Sequence, residues 1–581
     1  MYGDYDTDGV CATAILFDTL KRLTDNVTYL LPDRHGEGYG LHVNAVDRMA
    51  EDGVNLIVTV DNGISAHAEI AYAKARGIDT VVTDHHRCHE TLPDAEAVVC
   101  AARREQDQSL TALCGASVTM LLCAALGQKI ERYLPIAALA TMADIVPLNA
   151  INRAIVRKGL PYVSQHPGLC ALLDAAGIDG DVGDTTLSFI LAPRINAAGR
   201  MGDASRAVRL LLTDSEGERK QLAAVLEQEN VRRRAEEQRI FTEASQRIDG
   251  ADPRILILCG KDWNTGVIGI VASRLLERAH RPVLLFTEVN GQLIGSGRSM
   301  PAVDLFALLS RHADLFLRFG GHRLAAGATV AAERFCEMKT ALEADLSARF
   351  PEGLPEEPLY YEDRLALSEL TVDFAEELLK LSPFGEDNEK PLFLIEGTLS
   401  SVRLIGRDGA HIGALLSDAG QSARLVAFGA GVHYKDWSAI ETAQSLVTPE
   451  LNRFRGKTEV TVRTEALRAR VSDAAHQAAN ACIEAIRWKR PLPESSVLDR
   501  LPKVTEEEIR SVFRSLRDRL HFGVEVDCLT EKERIALLPL YEIGVIRYEN
   551  GMFFDEIVQE KKQIQNALLY PTLCSDKINQ L

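Results

Sequence analysis

Over the first 150 residues, short apolar runs rich in β-branched side chains alternate with stretches of helical character. The run in NLIVTVDNG breaks at Asn62-Gly63, and DTVVTDHH repeats the pattern further along. Between them, AHAEIAYAKARG reads as a helix that stops at Gly77. Strand, turn, helix and strand in that order predict a parallel α/β sheet. Ligands of such sheets gather at the carboxyl ends of the strands. Asp61 and the Asp84-His85-His86 group fall at two such ends, and so does Asp144 in ALATMADIVPL, just before Pro147.

Residues 216–248 are rich in helix formers and have neither Gly nor Pro after Gly217, which predicts one long, mostly solvated helix. RILILCG, PVLLFTEV and QLIGSGRS then read as strands, with GVIGIVASRLLERA as a helix between them. FPEGLPEEP (350–358) reads as a linker. Residues 389–466 are strand-rich with Gly turns, as in a small barrel. TEEEIRSVFRSLRDRL returns to helical periodicity, and GVIRYENGMFF reads as a hairpin turning at Glu549-Asn550-Gly551. The expected architecture is α/β with a barrel and a helical tail. A parallel-sheet domain covers 1–160, connecting helices 161–250 and a second α/β domain 251–350. A linker over 351–388, a barrel over 389–470 and a mainly helical extension over 480–581 complete it.

The 581 residues carry a net charge of -18, so binding to a polyanion requires a locally basic groove. LNRFRGKTEVTVRTEALRAR (451–470) is a candidate, with six Lys or Arg against two Glu and Phe454 among them. Small barrels hold single strands on basic grooves with interleaved aromatics. A solvated strand face is the plainer reading of the same pattern. RWKR (487–490) either extends this track or packs its tryptophan. The 11 cysteines contain no CxxC pair, which fits reduced thiols in a cytoplasmic protein. No apolar run approaches the ~18 residues a spanning helix requires. The first residues are too polar and acidic for a signal peptide.

DYDTDG places carboxylates at alternate positions, Asp4, Asp6 and Asp8. Alone, this is a polar turn. With Asp61, His85 and Asp144 at equivalent strand ends, it becomes a set of hard oxygen donors with one imidazole, which suits Mn²⁺ or Mg²⁺ better than Zn²⁺. Six such groups exceed what one ion usually takes. A pair of ions about 3.5–4 Å apart is the arrangement that activates a water and clamps a phosphoryl group.

The order DYDTDG, VDNG, TDHH, ADIVPL resembles the DHH phosphoesterase family. RINAAGRM (194–201), GVIGIVASRL (266–275), SGRS (296–299) and FGGHRLAAGATV (319–330) resemble its DHHA1 domain. LSPFGEDNEKPLF (381–393) then leads to an oligonucleotide-binding type of barrel. Across roughly 1–470 the motifs resemble, in order and spacing, the family members that degrade single-stranded DNA from the 5′ end. The resemblance implies a Mn²⁺- or Mg²⁺-dependent exonuclease of DNA repair and recombination. Its partners would be single-stranded DNA, a single-strand-binding protein and a helicase.

The same resemblance implies Asp4, Asp6, Asp8, Asp61, His85 and Asp144 as ligands of two metals, with Asp61 bridging. Asp84 would orient an imidazole, and His86 would face the scissile phosphate. Arg34 matches a basic residue near the 5′ end, and Ser296 with Arg298 a 5′-phosphate pocket. Arg194, Asn196 and Arg200 match backbone or active-site contacts, and His322 a nucleotide-facing group. Three positions depart from the pattern: Asn264 replaces a histidine, Asp387 replaces a glycine, and VVCAARREQ lacks an Asn-Pro.

Two other readings compete. One is a phosphodiesterase for nanoRNA or cyclic dinucleotides, a class that generally lacks the barrel and tail. The other is a non-catalytic DNA-binding scaffold, against which the intact acidic groups speak. The resemblance further implies a buried strand ahead of DYDTDG, where only Met1-Tyr2-Gly3 stand. Three residues are expected to be too few for an interior strand, which predicts a shortened start and a loosely held first metal.

Overall fold

The structure, a computed structural model, describes residues 1–555 apart from 33–39, 104–107, 249–252, 352, 356–357, 407–408, 455–456, 471–472, 488, 521–522, 544 and 550–551. It divides into two compact units, Met1–Glu356 with Ser382–Glu389, and Glu357–Leu381 with Lys390–Leu581.

The first unit begins with helices α1 (Thr7–Lys21) and α2 (Val43–Glu51). Strand β1 (Leu56–Val60), helix α3 (His67–Ala75), strand β2 (Asp79–Asp84) and strand β3 (Ala97–Cys100) follow. Helices α4 (Gly115–Ala125) and α5 (Leu134–Ala143) come next. β1, β2 and β3 are parallel, with Leu56 opposite Asp79 and Val81 opposite Ala97. Helix α3 closes before Gly77, whose φ of +76° a side chain would resist. This is the predicted sheet.

The segment expected to be too short for an interior place nevertheless occupies one. Tyr2 bridges Thr59 of β1 on one side and Leu30 on the other. Tyr2 N donates to Val58 O, Val60 N to Tyr2 O, Gly3 N to Leu30 O and Leu30 N to Met1 O, all at 2.9–3.0 Å. Each residue brings its own donor and acceptor, so three residues paired on both flanks satisfy their backbone as a longer strand does. Tyr2 is fully buried, with its hydroxyl donating to Gly40 O.

The predicted long helix spans Glu216–Gln246 and starts at Ser215, whose hydroxyl accepts from Glu218 N. It is less solvated than its charge implies, because Leu222, Ala223, Leu226, Ile240 and Ala244 are buried against its neighbours. A five-stranded sheet then forms from β4 (Leu256–Gly260), β5 (Val283–Val289), β6 (Gln292–Arg298), β7 (Arg318–Gly321) and β8 (Ala325–Ala331). The order is β4-β5-β6-β8-β7, with helix Ile268–Ala279 crossing between β4 and β5.

In the second unit, β9 (Asp363–Arg364) precedes β10 (Phe393–Ile405), β11 (His411–Asp418), β12 (Gln421–Ala427), β13 (Thr442–Phe454) and β14 (Lys457–Ala469). The order β11-β12-β14-β13-β10, closed by pairing of β10 with β11, is a five-stranded barrel. Residues 351–388 are not the plain linker expected. β9 adds to the barrel sheet, Val372–Leu379 is a helix, and Ser382–Glu389 belongs to the first unit. There Leu148 N donates to Glu386 O and Phe384 N to Asp184 Oδ2. Asp387 takes φ +58°, the left-handed geometry anticipated for it.

The extension has its own core, built from residues such as Ile483, Ile509, Leu516, Leu538 and Phe553. Its hairpin pairs Ile546–Glu549 with Met552–Asp555, as the sequence predicts. Trp488 and the turn at Asn550-Gly551 lie outside the described residues. No described helix is long and apolar enough to cross a membrane.

Candidate metal centre

The acidic residues are fixed mainly through the backbone. Asp6 caps α1, its Oδ1 accepting from Gly9 N at 2.9 Å. Gly9 has to be glycine, because a Cβ would lie 2.6 Å from Asp4 Cβ. Asp8 sits buried in the first turn of α1 and accepts from Gly115 N at 2.5 Å and Ala116 N at 2.8 Å. These are the first amides of α4, a natural seat for an anion. Asp61 follows β1 with φ +61°, which aspartate tolerates better than most residues. Its N–H donates to Thr83 O, and a Cβ on Gly115 would fall 2.6 Å from its Oδ1. Asp144 ends α5.

His85 gathers three of these groups. Its Nε2 lies 3.1 Å from Asp61 Oδ1, 3.6 Å from Asp144 Oδ2 and 3.7 Å from Asp8 Oδ2. Three overlapping sets have ligand atoms within 4.8 Å of one another: Asp8 with His85 and Asp144, Asp4 with Asp6 and Asp61, and Asp61 with His85 and His86. All six residues expected as ligands thus come together, and Asp61 belongs to two of the sets.

The electrostatics favour a cation. Burial raises the Asp6 carboxyl, and the charge of Asp8 adds to it. Burial followed by Asp8, Asp6, Asp4 and Asp144 lifts Asp61 well above the carboxylate range. Burial with Asp8 and Asp6 brings Asp144 up to about 8. Burial lowers His85, keeping it a neutral donor. A divalent ion offsets both the desolvation and the mutual repulsion of these groups. The donor set, oxygen-rich with one imidazole, fits Mn²⁺ or Mg²⁺.

Asp84 orients an imidazole, as expected, and the imidazole is that of His86. Asp84 Oδ1 pairs with His86 Nδ1 at 2.8 Å and accepts from the His85 and His86 amides, while Oδ2 accepts from Ile64 N. Burial pushes the Asp84 carboxyl up, but the bonds from His86 and Ile64 outweigh it and hold it low. Burial disfavours charge on His86, yet the bond and charge of Asp84 hold it cationic, at about 9.

The matches to known families follow this layout. Residues 1–146 match the DHH family, N-terminal domain; residues 252–348 match the DHHA1 domain; residues 361–466 match the RecJ OB domain. A "Single-stranded-DNA-specific exonuclease RecJ" of Salmonella typhimurium is 34% identical over 488 residues, covering 78% of this chain and 84% of that one. The chain belongs to the RecJ family. The RecJ of Bacillus subtilis is 36% identical over 442 residues, covering 74% of this chain and 56% of that one. The chain therefore spans little more than half the length of that relative. Among solved structures, RecJ of Thermus thermophilus in complex with Mn²⁺ superposes with a TM-score of 0.71 at 33% identity, covering 81% of this chain and 69% of that one. An exonuclease RecJ bound to manganese gives 0.54 at 37% identity, covering 60% and 90%.

The residues expected to bind substrate behave differently from one another. Ser296 and Arg298 lie together on β6, with Arg298 Nη1 on Ser296 Oγ at 3.3 Å. A Cβ on Gly269 would come within 2.8 Å of Ser296 Oγ and 3.1 Å of Arg298 Nη2. The first turn of helix Ile268–Ala279 thus abuts the hydroxyl and the guanidinium, which is an anion-binding arrangement. Asn264, in place of a histidine, closes the preceding turn by accepting from Gly266 N at 2.8 Å. Arg200 donates to Gly266 O.

Arg194, expected as a backbone or active-site contact, makes its ion pair within the fold. The residue is 7% exposed, paired with Glu227 at 2.5 Å and donating to Ile190 O. Asn196 accepts from Thr7 N. His322 lies exposed in the turn joining β7 to β8 and is in none of the ligand sets among the described residues. Arg34 and the side chain of Phe454 lie outside the described residues.

On the barrel, the surplus of positive charge read from residues 451–470 is partly spent. Arg463 pairs with Glu465 at 2.8 Å and Arg470 with Glu396 at 3.2 Å. The sequence reading missed Phe428, 60% exposed at the end of β12. His411 packs edge-on to its ring at 5.2 Å, and the Arg463 guanidinium lies 5.9 Å from its centroid. A cavity of about 210 Å³ adjoins it, lined also by Glu450, Asn452 and Thr461. The only signal in the sequence was an aromatic followed by glycines, FGAG, and many surface turns look the same.

Proposed function

We propose that this chain is a two-metal exonuclease that hydrolyses single-stranded DNA from the 5′ end. The observation that carries the reading is the convergence of Asp4, Asp6, Asp8, Asp61, His85 and Asp144 within ligand reach of one another. The donor chemistry fits two divalent ions; Asp61 and His85 each belong to two sets, and of the two only the carboxylate has two donor oxygens, so Asp61 would be the residue the ions share. When bound, such ions supply a nucleophilic water at neutral pH and neutralise phosphoryl charge. His86, steadied by its bond to Asp84, would donate to a non-bridging oxygen as charge builds there. Ser296, Arg298 and the adjoining helix terminus receive the terminal phosphate, which sets polarity. His322 is a further nucleotide-facing group of this reading.

Phe428 and Arg463 on the barrel offer a stacking platform, which is sequence-tolerant because every base has a π-face. A barrel over 361–466 has no use in degrading a dinucleotide, so a long strand is favoured over nanoRNA or cyclic dinucleotides. The setting in this reading is cytoplasmic DNA repair and recombination, with a helicase exposing single strands and a single-strand-binding protein nearby. The test is a time course on 5′- and 3′-labelled single strands with Mn²⁺, Mg²⁺ or EDTA. Metal-dependent early release of 5′-label is expected. Early release of 3′-label, or turnover of dinucleotides alone, would overturn the reading.

A further inference from the structure

We infer that Asn196 is a positioning residue for the metal loop and not a contact to DNA. The inference rests on the two-metal reading above. The loop Asp4–Asp8 is held from three directions. Met1–Gly3 pair with the sheet below it, and the N-terminus of α4 holds Asp8. The third hold is helix Ala192–Met201, which approaches the loop along its flank.

Three observations define that hold. Asn196 Oδ1 accepts from Thr7 N at 2.9 Å. Thr7 Oγ1 donates to Ala192 O at 3.1 Å, fully buried. Gly199 lets the helix pack backbone to backbone on the loop, since a Cβ there would fall 2.3 Å from Tyr5 O. The helix is anchored in turn, through Arg194 to Glu227 on Glu216–Gln246 and through Arg200 to Gly266 O. The contact points, Tyr5 and Thr7, are the two residues interleaved between Asp4, Asp6 and Asp8.

The chemistry explains why the residue is asparagine. Thr7 is the first residue of α1, so its amide has no partner within the helix. Asp6, the capping residue, spends its Oδ1 on Gly9 N. Thr7 N therefore needs an acceptor from elsewhere. A carboxylate would serve, but it would add a sixth carboxyl beside five aspartates already gathered in a buried centre. An amide oxygen provides the acceptor without adding charge. By fixing the peptide between Asp6 and Asp8, it sets the directions of both carboxylates.

Partners that hydrogen-bond the ligands themselves typically change metal affinity about 10–100-fold when lost, and Asn196 acts one step further out, through the Thr7 amide between two of them, so the lower end of that range applies. The experiment uses the full chain and reads Mn²⁺ binding directly, from the electron paramagnetic resonance signal of free Mn²⁺. A fluorescent single strand measures DNA affinity in EDTA. Asn196→Leu keeps the shape and removes the acceptor; it is expected to weaken Mn²⁺ binding ~10-fold or more, with metal-free DNA affinity within about twofold of wild type. Asn196→Asp restores the acceptor and is expected to recover most of the Mn²⁺ affinity. Thr7→Val removes only the hydroxyl tie, which guards against a misfolded Leu variant, and its expected shift is smaller and in the same direction. Weakened DNA binding with unchanged Mn²⁺ binding would make Asn196 a DNA contact. No change in either would reduce it to packing. If wild-type protein took up no Mn²⁺, the two-metal reading itself would fall.

Discussion

The acidic centre of the first unit and the Phe428 face of the barrel both suit a nucleic-acid enzyme, yet they are built on opposite principles. In the centre, Asp4, Asp8, Asp61 and Asp84 are each 3% exposed or less. Asp8 and Asp84 take main-chain amides, Asp6 caps a helix, and the Asp61 backbone adopts a strained φ. On the barrel, Phe428 is largely exposed, with His411 packed edge-on and the Arg463 guanidinium over its ring at 5.9 Å from the centroid. Bond cleavage needs donors placed within a fraction of an ångström, so that site is over-determined by backbone geometry. Contacts that tolerate any base need an open, exposed aromatic face, which the proposed role of Phe428 would use.

The sharpest way to break this comparison is Asp61→Ala. Loss of a bridging ligand is expected to cost at least about 4 kcal/mol in the chemical step, ~10³-fold in rate, while binding of a long single strand stays within about twofold. Stability of the metal-free variant should change little, because relief of a carboxyl lifted well above its usual range by burial and neighbouring aspartates offsets the strain alanine meets at φ +61°. Comparable loss of strand binding would show that the two regions do not divide the work.

Next in size is Phe428→Ala. Stacking is worth about 1–3 kcal/mol per base, so affinity for a long strand should drop roughly 5- to 100-fold, with turnover of a trinucleotide unaffected. Equal effects on long and short substrates would move Phe428 out of a strand-holding role.

Arg298→Ala tests whether the phosphate pocket sides with the rigid centre. A charged hydrogen bond is worth about 1.5–3 kcal/mol, so the preference for 5′-phosphorylated over unphosphorylated ends should shrink about tenfold. Equal losses for both ends would make Arg298 a general backbone contact.

The smallest effect lies away from both regions. His166 caps helix Pro167–Ala175, its Nδ1 accepting from Leu169 N. Burial, with Arg219 nearby, lowers its pKa from 6.5 to about 4. The unfolded chain therefore binds this proton first as pH falls, and the stabilisation present above 6.5 is lost between 6.5 and about 4. His166→Asn, which can still cap, should flatten the fall in melting temperature across that window by a few degrees. An unchanged slope would assign the acid sensitivity to other groups.

Legibility in the sequence follows the same divide. The parallel sheet, the long helix Glu216–Gln246, the barrel and all six acidic or histidine groups of the centre could be read from short motifs. Those motifs combine a strand end, a turn and a charged residue, and few other needs produce that combination. Phe428 could not be read, because one exposed aromatic beside glycines has no distinguishing pattern until β12 and β14 set Val426 beside Arg463. The partner of Arg194 was hidden for a related reason. Its place in a motif shows a charge to be paired, but only the fold supplies Glu227 from a helix further along the chain.

The sequence by itself determined which acidic and histidine residues could meet and which strands and helices present them, because hydrophobic period and turn residues act locally. Tertiary structure decided the partnerships. It gave Met1–Gly3 a place between β1 and Leu30, paired Asp84 with the ring of His86, and paired Asn196 with the Thr7 amide. The physical reason is that a hydrogen-bonding group shows its capacity in the sequence but not its partner. Which donor meets which acceptor depends on distances between segments far apart in the chain, and packing alone sets those distances.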